Sequence, residues 1–289
     1  MRAKFARLIT VLCIVALMVV MIGAAGTDYV YESDAAAVGN YVEIPLYVNG
    51  VRVGSGLQIN GTTYVPVIEF CEGLDRVVDV SWNEETATAT ARMDGLIVET
   101  TVGTQYVVAN GRYFYARNGI RQVNGSVVVP VNELAEAFNV EVIWDISAWT
   151  IDVDTSTMSP ITGAEEFYNE DDLYWLSHVI NAESGNQPLE GKIAVGNVVL
   201  NRVEEPTCPD TVYDVIFDNK YGVQFSVTEN GSIYLEPNEE SVIAAKMCLE
   251  GCNIAGTSLF FVNPRIGATG WFAKNRTFVI SIGDHDFYA

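Results

Sequence analysis

Histidine is nearly missing from this chain. Its 289 residues contain two, His178 and His285. A catalytic zinc site takes about three His, Cys or carboxylate ligands and keeps one position open. Two histidines, with no His-x-x-x-His pair, argue against a zinc hydrolase. Basic residues are scarce as well: 16 Lys and Arg stand against 37 Asp and Glu, a formal charge of −21. Phosphate backbones are held by Lys and Arg, so nucleic acid is not an expected partner. Simple charge attraction to an anionic polymer is disfavoured for the same reason. Cysteine is sparse, and of five residues Cys13 lies in an N-terminal apolar run. The others are Cys71, Cys208, Cys248 and Cys252. None has the setting of a nucleophilic thiolate, which favours a helix N-terminus beside a His. Cys248 falls late in a predicted helix, Cys252 follows Gly251, and Cys208 lies in a proline-flanked loop. Outside a cell Cys208 could pair with Cys248 or Cys252, and sequence does not choose between them.

Long hydrophobic runs are limited to one, Leu8–Ile22, preceded by Arg2, Lys4 and Arg7 and followed by Gly23-Ala24-Ala25-Gly26. This is the layout of a secretory signal, short for a membrane span. Residues 1–26 are therefore expected to be a signal peptide cleaved near Ala25, and 27–41 a small, polar tether. An uncleaved signal would be the one membrane attachment. A hydrophobic fraction of 49% describes a globular chain, and the length suggests about two domains.

From Val42 to Asp154 the sequence repeats. Ile59-Asn60-Gly61-Thr62-Thr63-Tyr64-Val65-Pro66-Val67 is echoed by Val123-Asn124-Gly125-Ser126-Val127-Val128-Val129-Pro130-Val131. Each copy continues into a short helical pattern and then a strand carrying Trp82 or Trp144. Asn49-Gly50 and Asn110-Gly111 mark hairpins upstream of each copy. One strand–turn–strand–helix–strand unit is thus used twice. On these motifs, residues 42–154 resemble the copper amine oxidase N-terminal-like domain, which implies an α+β module with an antiparallel sheet and helix. No copper site is expected, because no His precedes His178 and copper favours imidazole or thiolate clusters. The module reads either as a binder of wall or protein partners or as a spacer. Residues 155–168 read as the linker.

Residues 169–289 read as mainly helical with a small β element. Leu173, Leu176 and Ile180 share a helical face, with Asp171 and Asp172 in its first turn and Ser184-Gly185-Asn186 at its end. Glu183 then sits at the C-terminal end, where the helix dipole disfavours its charge and raises its pKa. It is either an exposed Glu at a frayed end or an acid held for proton transfer. A second helix is predicted near Leu189–Val203. Thr211–Asp214 resembles a capping box with Asp in place of Glu. Asn238 caps a helix that ends at Gly251. Strands are expected at Ser258–Val262 and Thr277–Ile282.

Five ordered motifs in this half carry a second resemblance. They are Ile180-Asn181-Ala182-Glu183-Ser184-Gly185, then Gly191 to Val203, then Tyr213-Asp214-Val215-Ile216 with Gln224-Phe225-Ser226, then Phe261-Val262-Asn263-Pro264, and last Gly283-Asp284-His285-Asp286-Phe287. Together they resemble the SleB-like cell wall hydrolases, the spore-cortex-lytic enzyme family. The resemblance implies a lysozyme-like fold, cleavage of peptidoglycan glycan strands, no cofactor, and Glu183 as catalytic acid. It places Gln224, Phe225 and Ser226 in a substrate-groove loop. There Gln could hydrogen-bond a sugar and Phe stack on one, or the pair could pack the loop. Phe261 and Asn263 could line the groove, Asn263 equally forming a turn. Phe260 and Phe261 replace tyrosines common in relatives. Trp271 is a sugar platform or a core residue. His285 is read as a structural hydrogen-bonding group beside substrate rather than a catalyst. The same resemblance implies a secreted or wall-associated protein of a Gram-positive-type bacterium.

The motifs supply one acid. A single acid suits a lytic transglycosylase, in which the muramic C6 hydroxyl replaces water. A hydrolysing muramidase would need a second carboxylate, to be sought among Glu229, Glu236, Asp284 and Asp286. The alternative outside catalysis is a wall-binding or germination-assembly protein that keeps the fold.

Overall fold

The computed structural model describes residues 41–74, 77–220, 222–265 and 269–289. The expected signal peptide, and the tether apart from Tyr41, lie outside the described residues.

The N-terminal module is built from strands β1 (Val42–Val48), β2 (Val51–Ile59) and β3 (Thr62–Pro66), helix α1 (Val67–Gly73), strands β4 (Asp79–Asn83), β5 (Thr88–Met93), β6 (Leu96–Thr101), β7 (Tyr106–Ala109), β8 (Arg112–Tyr115), β9 (Arg121–Val123) and β10 (Ser126–Pro130), helix α2 (Val131–Phe138), and strands β11 (Glu141–Asp145) and β12 (Thr150–Asp154). Four Asn-Gly pairs join β1 to β2, β2 to β3, β7 to β8 and β9 to β10. Both residues of every pair have positive φ, from Asn110 at 48° to Gly125 at 86°. That is the mirror-image turn whose twist matches the flanking strands. The two repeated units meet at the centre, where β3 and β10 pair antiparallel with Val65 opposite Val129. Phe70 of α1 and Phe138 of α2 pack with ring centroids 5.4 Å apart.

The module differs from one plain antiparallel sheet. It forms a seven-stranded sheet, ordered β11-β12-β1-β2-β3-β10-β9, and a five-stranded one, β4-β5-β6-β7-β8. Within the first, β1 and β12 run parallel. The closing hairpin of the second copy thus pairs with β1, while that of the first copy leaves for the other sheet. The two hairpins share the Trp-bearing first strand, Trp82 or Trp144, yet join different sheets. The 155–168 segment is packed: Met158 enters the module core, and Asn110 Nδ2 donates to Ile161 O at 2.9 Å.

Beyond it come α3 (Ala164–Phe167), α4 (Glu170–Ser184), α5 (Leu189–Glu204), α6 (Val212–Ile216), α7 (Glu239–Leu249), β13 (Phe260–Val262), α8 (Thr269–Asn275), β14 (Phe278–Ile282) and β15 (His285–Tyr288). The caps form as their residues suggest. Asn169 accepts from Asp172 N, and Asn238 accepts from Ser241 N. At α6, Thr211 accepts from Asp214 N, while the Asp214 carboxylate takes the Thr211 hydroxyl proton. β15, unassigned from sequence, is the middle strand of β13-β15-β14.

Helix α5 packs against both α4 and α7 in the core of the C-terminal half, and those two helices also pack on each other. Its apolar residues Ile193, Val195, Val198 and Val199 are fully buried. A Cβ on Gly196 would fall 2.7 Å from Cys248 Sγ and 2.8 Å from Ile180 Cδ1, so only glycine allows this approach. The polar residues of α5 hold the 252–259 loop. Asn197 donates to Cys252 O and accepts from Ile254 N, Asn201 donates to Ser258 O, and Arg202 to Leu259 O. Cys71, Cys208, Cys248 and Cys252 are free thiols.

The β7–β8 hairpin seats against this half. Tyr106, Tyr113 and Tyr115 pack on its core cluster. Arg112 makes a two-pronged pair with Glu250, at 2.6 and 2.9 Å. Tyr168 donates to the same carboxylate at 2.6 Å, and Lys246 Nζ lies 5.0 Å from the Tyr113 ring centroid. The Arg112 and Glu250 side chains are 14% and 6% exposed. Arg112→Met would leave Glu250 charged and buried. It is expected to lower unfolding stability by about 3 kcal/mol, the usual cost of stranding one member of a buried pair. Arg112→Lys, without the planar fork, should recover only part of it. Urea unfolding of the full chain checks this, and a loss below about 0.5 kcal/mol would class the pair with exposed ones.

Candidate active site

Glu183 is the penultimate residue of α4. Leu176, Val179 and Ile180 on the same helix are fully buried, which fixes its rotation. Gly185 follows with φ −56°, so it is not the left-handed cap the sequence suggests. Glycine is needed there for closeness, since a Cβ would lie 2.5 Å from Asn181 O. The Asn181 side chain ties this end of α4 to α7, accepting from Asn238 N at 3.1 Å and from the Ser241 hydroxyl at 3.3 Å.

Beyond the helix end opens a cleft of about 490 Å³. Glu183, Asn186 and Gln187 form one part of its lining, Phe261, Val262 and Asn263 from the end of β13 another, and Asp284 and His285 a third. Glu183 is half-buried, and burial pushes its pKa above the ordinary carboxylate value. The direction is the one expected from sequence. The cause is desolvation by burial.

His285 is 7% exposed and its Nδ1 is buried without a hydrogen-bond partner. Burial lowers its pKa against the opposing pull of Asp284, so the imidazole is held neutral. Its ring stands edge-on to Phe261, with centroids 5.3 Å apart. Asn263 both lines the cleft and forms a turn, accepting from Arg265 N at 2.9 Å.

Four of the eight residues expected at the site therefore converge: Glu183, Phe261, Asn263 and His285. Phe225 is a correction. At 2% exposure, it packs in the core with the Arg202 guanidinium 5.2 Å from its ring centroid, and so cannot offer a face to a sugar. Gln224 turns back to Gly222 O at 2.8 Å. Ser226 is exposed and begins a 3-10 turn. Neither lines this cleft, nor does Trp271. Trp271 is 54% exposed on α8, so it is not a core residue; the Arg276 guanidinium stands 5.8 Å from its ring.

Asn186 and Gln187 were not singled out from sequence. The available signal was proximity, because both follow Glu183 within four residues. Of the four further carboxylates considered, only Asp284 lines the cleft. It pairs with Arg265 at 3.2 Å and accepts from Gln187 Nε2 at 3.2 Å. Asp286 takes the Ser281 hydroxyl, and Glu229 and Glu236 are exposed elsewhere.

A half-buried acid at a helix end thus faces a polar cleft on a small helical domain. Family models match two stretches of the chain. Residues 186–288 match the Cell Wall Hydrolase family and residues 47–153 the copper amine oxidase N-terminal domain. It is thus a cell wall hydrolase domain joined to a copper amine oxidase N-terminal domain. Glu183 stands three residues ahead of the matched stretch. Among its relatives is the spore cortex-lytic enzyme of Oceanobacillus iheyensis, 31% identical over 129 residues, 45% of this chain and 45% of that protein. The spore cortex-lytic enzyme of Bacillus cereus is 32% identical over 126 residues, 44% of this chain and 47% of that protein. The match therefore spans about half the length of these relatives. The solved catalytic domain of the germination-specific lytic transglycosylase SleB from Bacillus anthracis is 33% identical, with a TM-score of 0.38, covering 42% of this chain and 97% of that one.

The buried carboxyl makes a stability prediction. A folded-state pKa above the unfolded value of about 4.3 means the contribution of Glu183 is fully present at low pH. It is lost as pH rises through the folded value. Gln cannot ionise, so Glu183→Gln should gain in Tm relative to the wild type as pH rises from about 4 to about 8. Thermal melts across that range check it, and a constant difference would put the carboxylate in water.

Proposed function

We propose that this chain is an exported enzyme that cleaves the glycan strands of peptidoglycan at N-acetylmuramic acid–N-acetylglucosamine bonds, as a lytic transglycosylase. The observation that carries the reading is Glu183, a half-buried carboxyl whose pKa is raised by burial and which lines a cleft with neutral polar groups. Among the described residues no cation pairs with it. Burial of this kind disfavours the charged form, so the proton is held to higher pH than on an exposed Glu.

In the reaction, Glu183 gives that proton to the glycosidic oxygen as the bond from muramic C1 breaks. The resulting carboxylate takes the proton of the muramic C6 hydroxyl as that oxygen closes onto C1. A 1,6-anhydro end forms, no water is consumed, and Glu183 regains its proton. Asn263 and His285 are the groups proposed to meet sugar hydroxyl or N-acetyl groups, with Phe261 beneath them. Trp271 is proposed as an outer platform, its exposed indole suiting a sugar face. The N-terminal module, with Trp82 and Trp144 exposed on its returning strands, is proposed to contact wall or partner.

Asp284 favours a second reading. It lines the same cleft, where a second carboxylate could direct water and make the enzyme a hydrolysing muramidase. Its engagement by Arg265 and Gln187 ranks that reading second.

Purified peptidoglycan and mass spectrometry of the released muropeptides decide. Glu183→Gln keeps the shape and removes the proton, and is expected to lower turnover by about a hundredfold or more. Wild-type products should carry anhydro-muramic ends. Reducing ends, one water heavier, would move the assignment to Asp284-assisted hydrolysis. Near-normal turnover by folded Glu183→Gln would place the acid elsewhere.

A further inference from the structure

The cleft has two sides that come from distant parts of the chain, and one side chain spans them. Gln187 is 7% exposed. Its Oε1 accepts from Asp284 N at 2.8 Å. Its Nε2 donates to Asp284 Oδ2 at 3.2 Å and to Asn186 Oδ1 at 3.3 Å. Both ends of the amide therefore bind the turn between β14 and β15. The backbone of Gln187 is fixed as firmly. Its N–H donates to Ser184 O at 2.8 Å, and its carbonyl accepts from Lys192 Nζ at 2.5 Å.

Lys192 is 2% exposed and ion-paired with Glu240. A lysine is rarely buried unless paired, so this one marks a point where position is held at a cost. The receiving turn is shaped to fit. Gly283 has φ +58°, and a Cβ there would lie 2.4 Å from Gln187 Oε1 and 3.3 Å from Pro188 Cδ.

We infer that Gln187 is a positioning residue, clamping the cleft wall that bears Asp284 and His285 to the end of the helix that bears Glu183. The inference rests on the glycan-cleaving reading above. Glu183 and His285 are 102 residues apart in sequence. Their spacing is set by this bridge and by the packing behind it. Small displacements of reacting groups are costly, since about 1 Å can remove as much as a hundredfold in rate.

Three variants test the clamp from both sides. Gln187→Ala removes all three side-chain hydrogen bonds. Gly283→Ala leaves Gln187 intact and pushes a methyl against its Oε1. Gln187→Glu keeps the acceptor toward Asp284 N and sets a second carboxylate oxygen against Asp284. The titratable and charged groups nearby are Asp284 and Arg265 across the turn, Glu183 and His285 in the cleft, and Lys192 with Glu240 behind.

Gln187→Ala and Gly283→Ala should lower kcat by about ten- to a hundredfold with little change in KM. In the double variant the losses should fall short of their product, because the methyl no longer has an opponent. Gln187→Glu should be poorest at high pH. Its kcat relative to the wild type should rise as pH falls and one proton is shared between the two carboxyls. A residue that merely stabilises the fold would give a ratio independent of pH.

A readout free of turnover is NMR of the two histidines, assigned with His285→Gln. The His285 ring signal should move in Gln187→Ala while that of His178 stays. Wild-type kcat together with an unmoved His285 signal in Gln187→Ala would overturn the clamp, as would a pH-independent deficit in Gln187→Glu. If Gln187→Ala does not fold, the other two variants carry the same measurements. If none folds, Gln187 is a folding element and the inference fails. A wild-type protein inert on peptidoglycan would instead sink the reading of function, while the His285 signal still reported on the clamp.

Discussion

The close approach of three helices at Gly196 underlies the rest of the catalytic half. With no Cβ at that position, α5 contacts Ile180 of α4 on one side and Cys248 of α7 on the other. Close packing of this kind tolerates little adjustment, so the axis of α4 is set there. The direction of α4 then decides where its last turn ends and where the Glu183 carboxyl lies. The polar residues on the same α5 carry the order outward. Asn197, Asn201 and Arg202 bind main-chain carbonyls of the loop that leads into β13, and β13 brings Phe261 and Asn263 to the cleft. One helix thus places the acid through its apolar packing and a facing wall through its hydrogen bonds.

Electrostatics in the cleft follow from burial more than from nearby charge. Glu183 is raised by desolvation alone, and His285 is lowered mainly by desolvation. Burial works against charge on both groups, favouring the acid form of one and the neutral imidazole form of the other. The formal charges nearby are absorbed by one another, Asp284 by Arg265 and Lys192 by Glu240.

The N-terminal module is more than an attached bead. Its β7–β8 hairpin contributes three tyrosines to the neighbouring core cluster, and Arg112 pairs with Glu250, a buried carboxylate at the end of α7 that also accepts from the Tyr168 hydroxyl. The segment between the halves is hydrogen-bonded to the module through Asn110 and Asn139. The pairing makes the module part of the support behind α7, whose first turn in turn receives the end of α4.

Much of this was legible in the sequence because it is local. Asn-Gly turns, the Thr211 and Asn238 caps, the apolar face of α4 and the placement of Glu183 at its end all depend on residues within a few positions of one another. Backbone sterics and hydrogen bonding act at that range. The duplicated unit was legible for the same reason. What tertiary structure alone decided concerns groups brought together over long separations. Phe225 and Trp271 were both aromatic candidates for a sugar face, and only packing sent the first into the core and left the second exposed. The burial that raises Glu183, the parallel pairing of β1 with β12, the central place of β15, and the bridge from Gln187 to Asp284 are likewise non-local. Sequence by itself determined that an acid, Glu183, stands at the end of α4. The tertiary fold decided how dry that acid is and what faces it, because solvent exclusion is a property of the assembled surface and not of any segment.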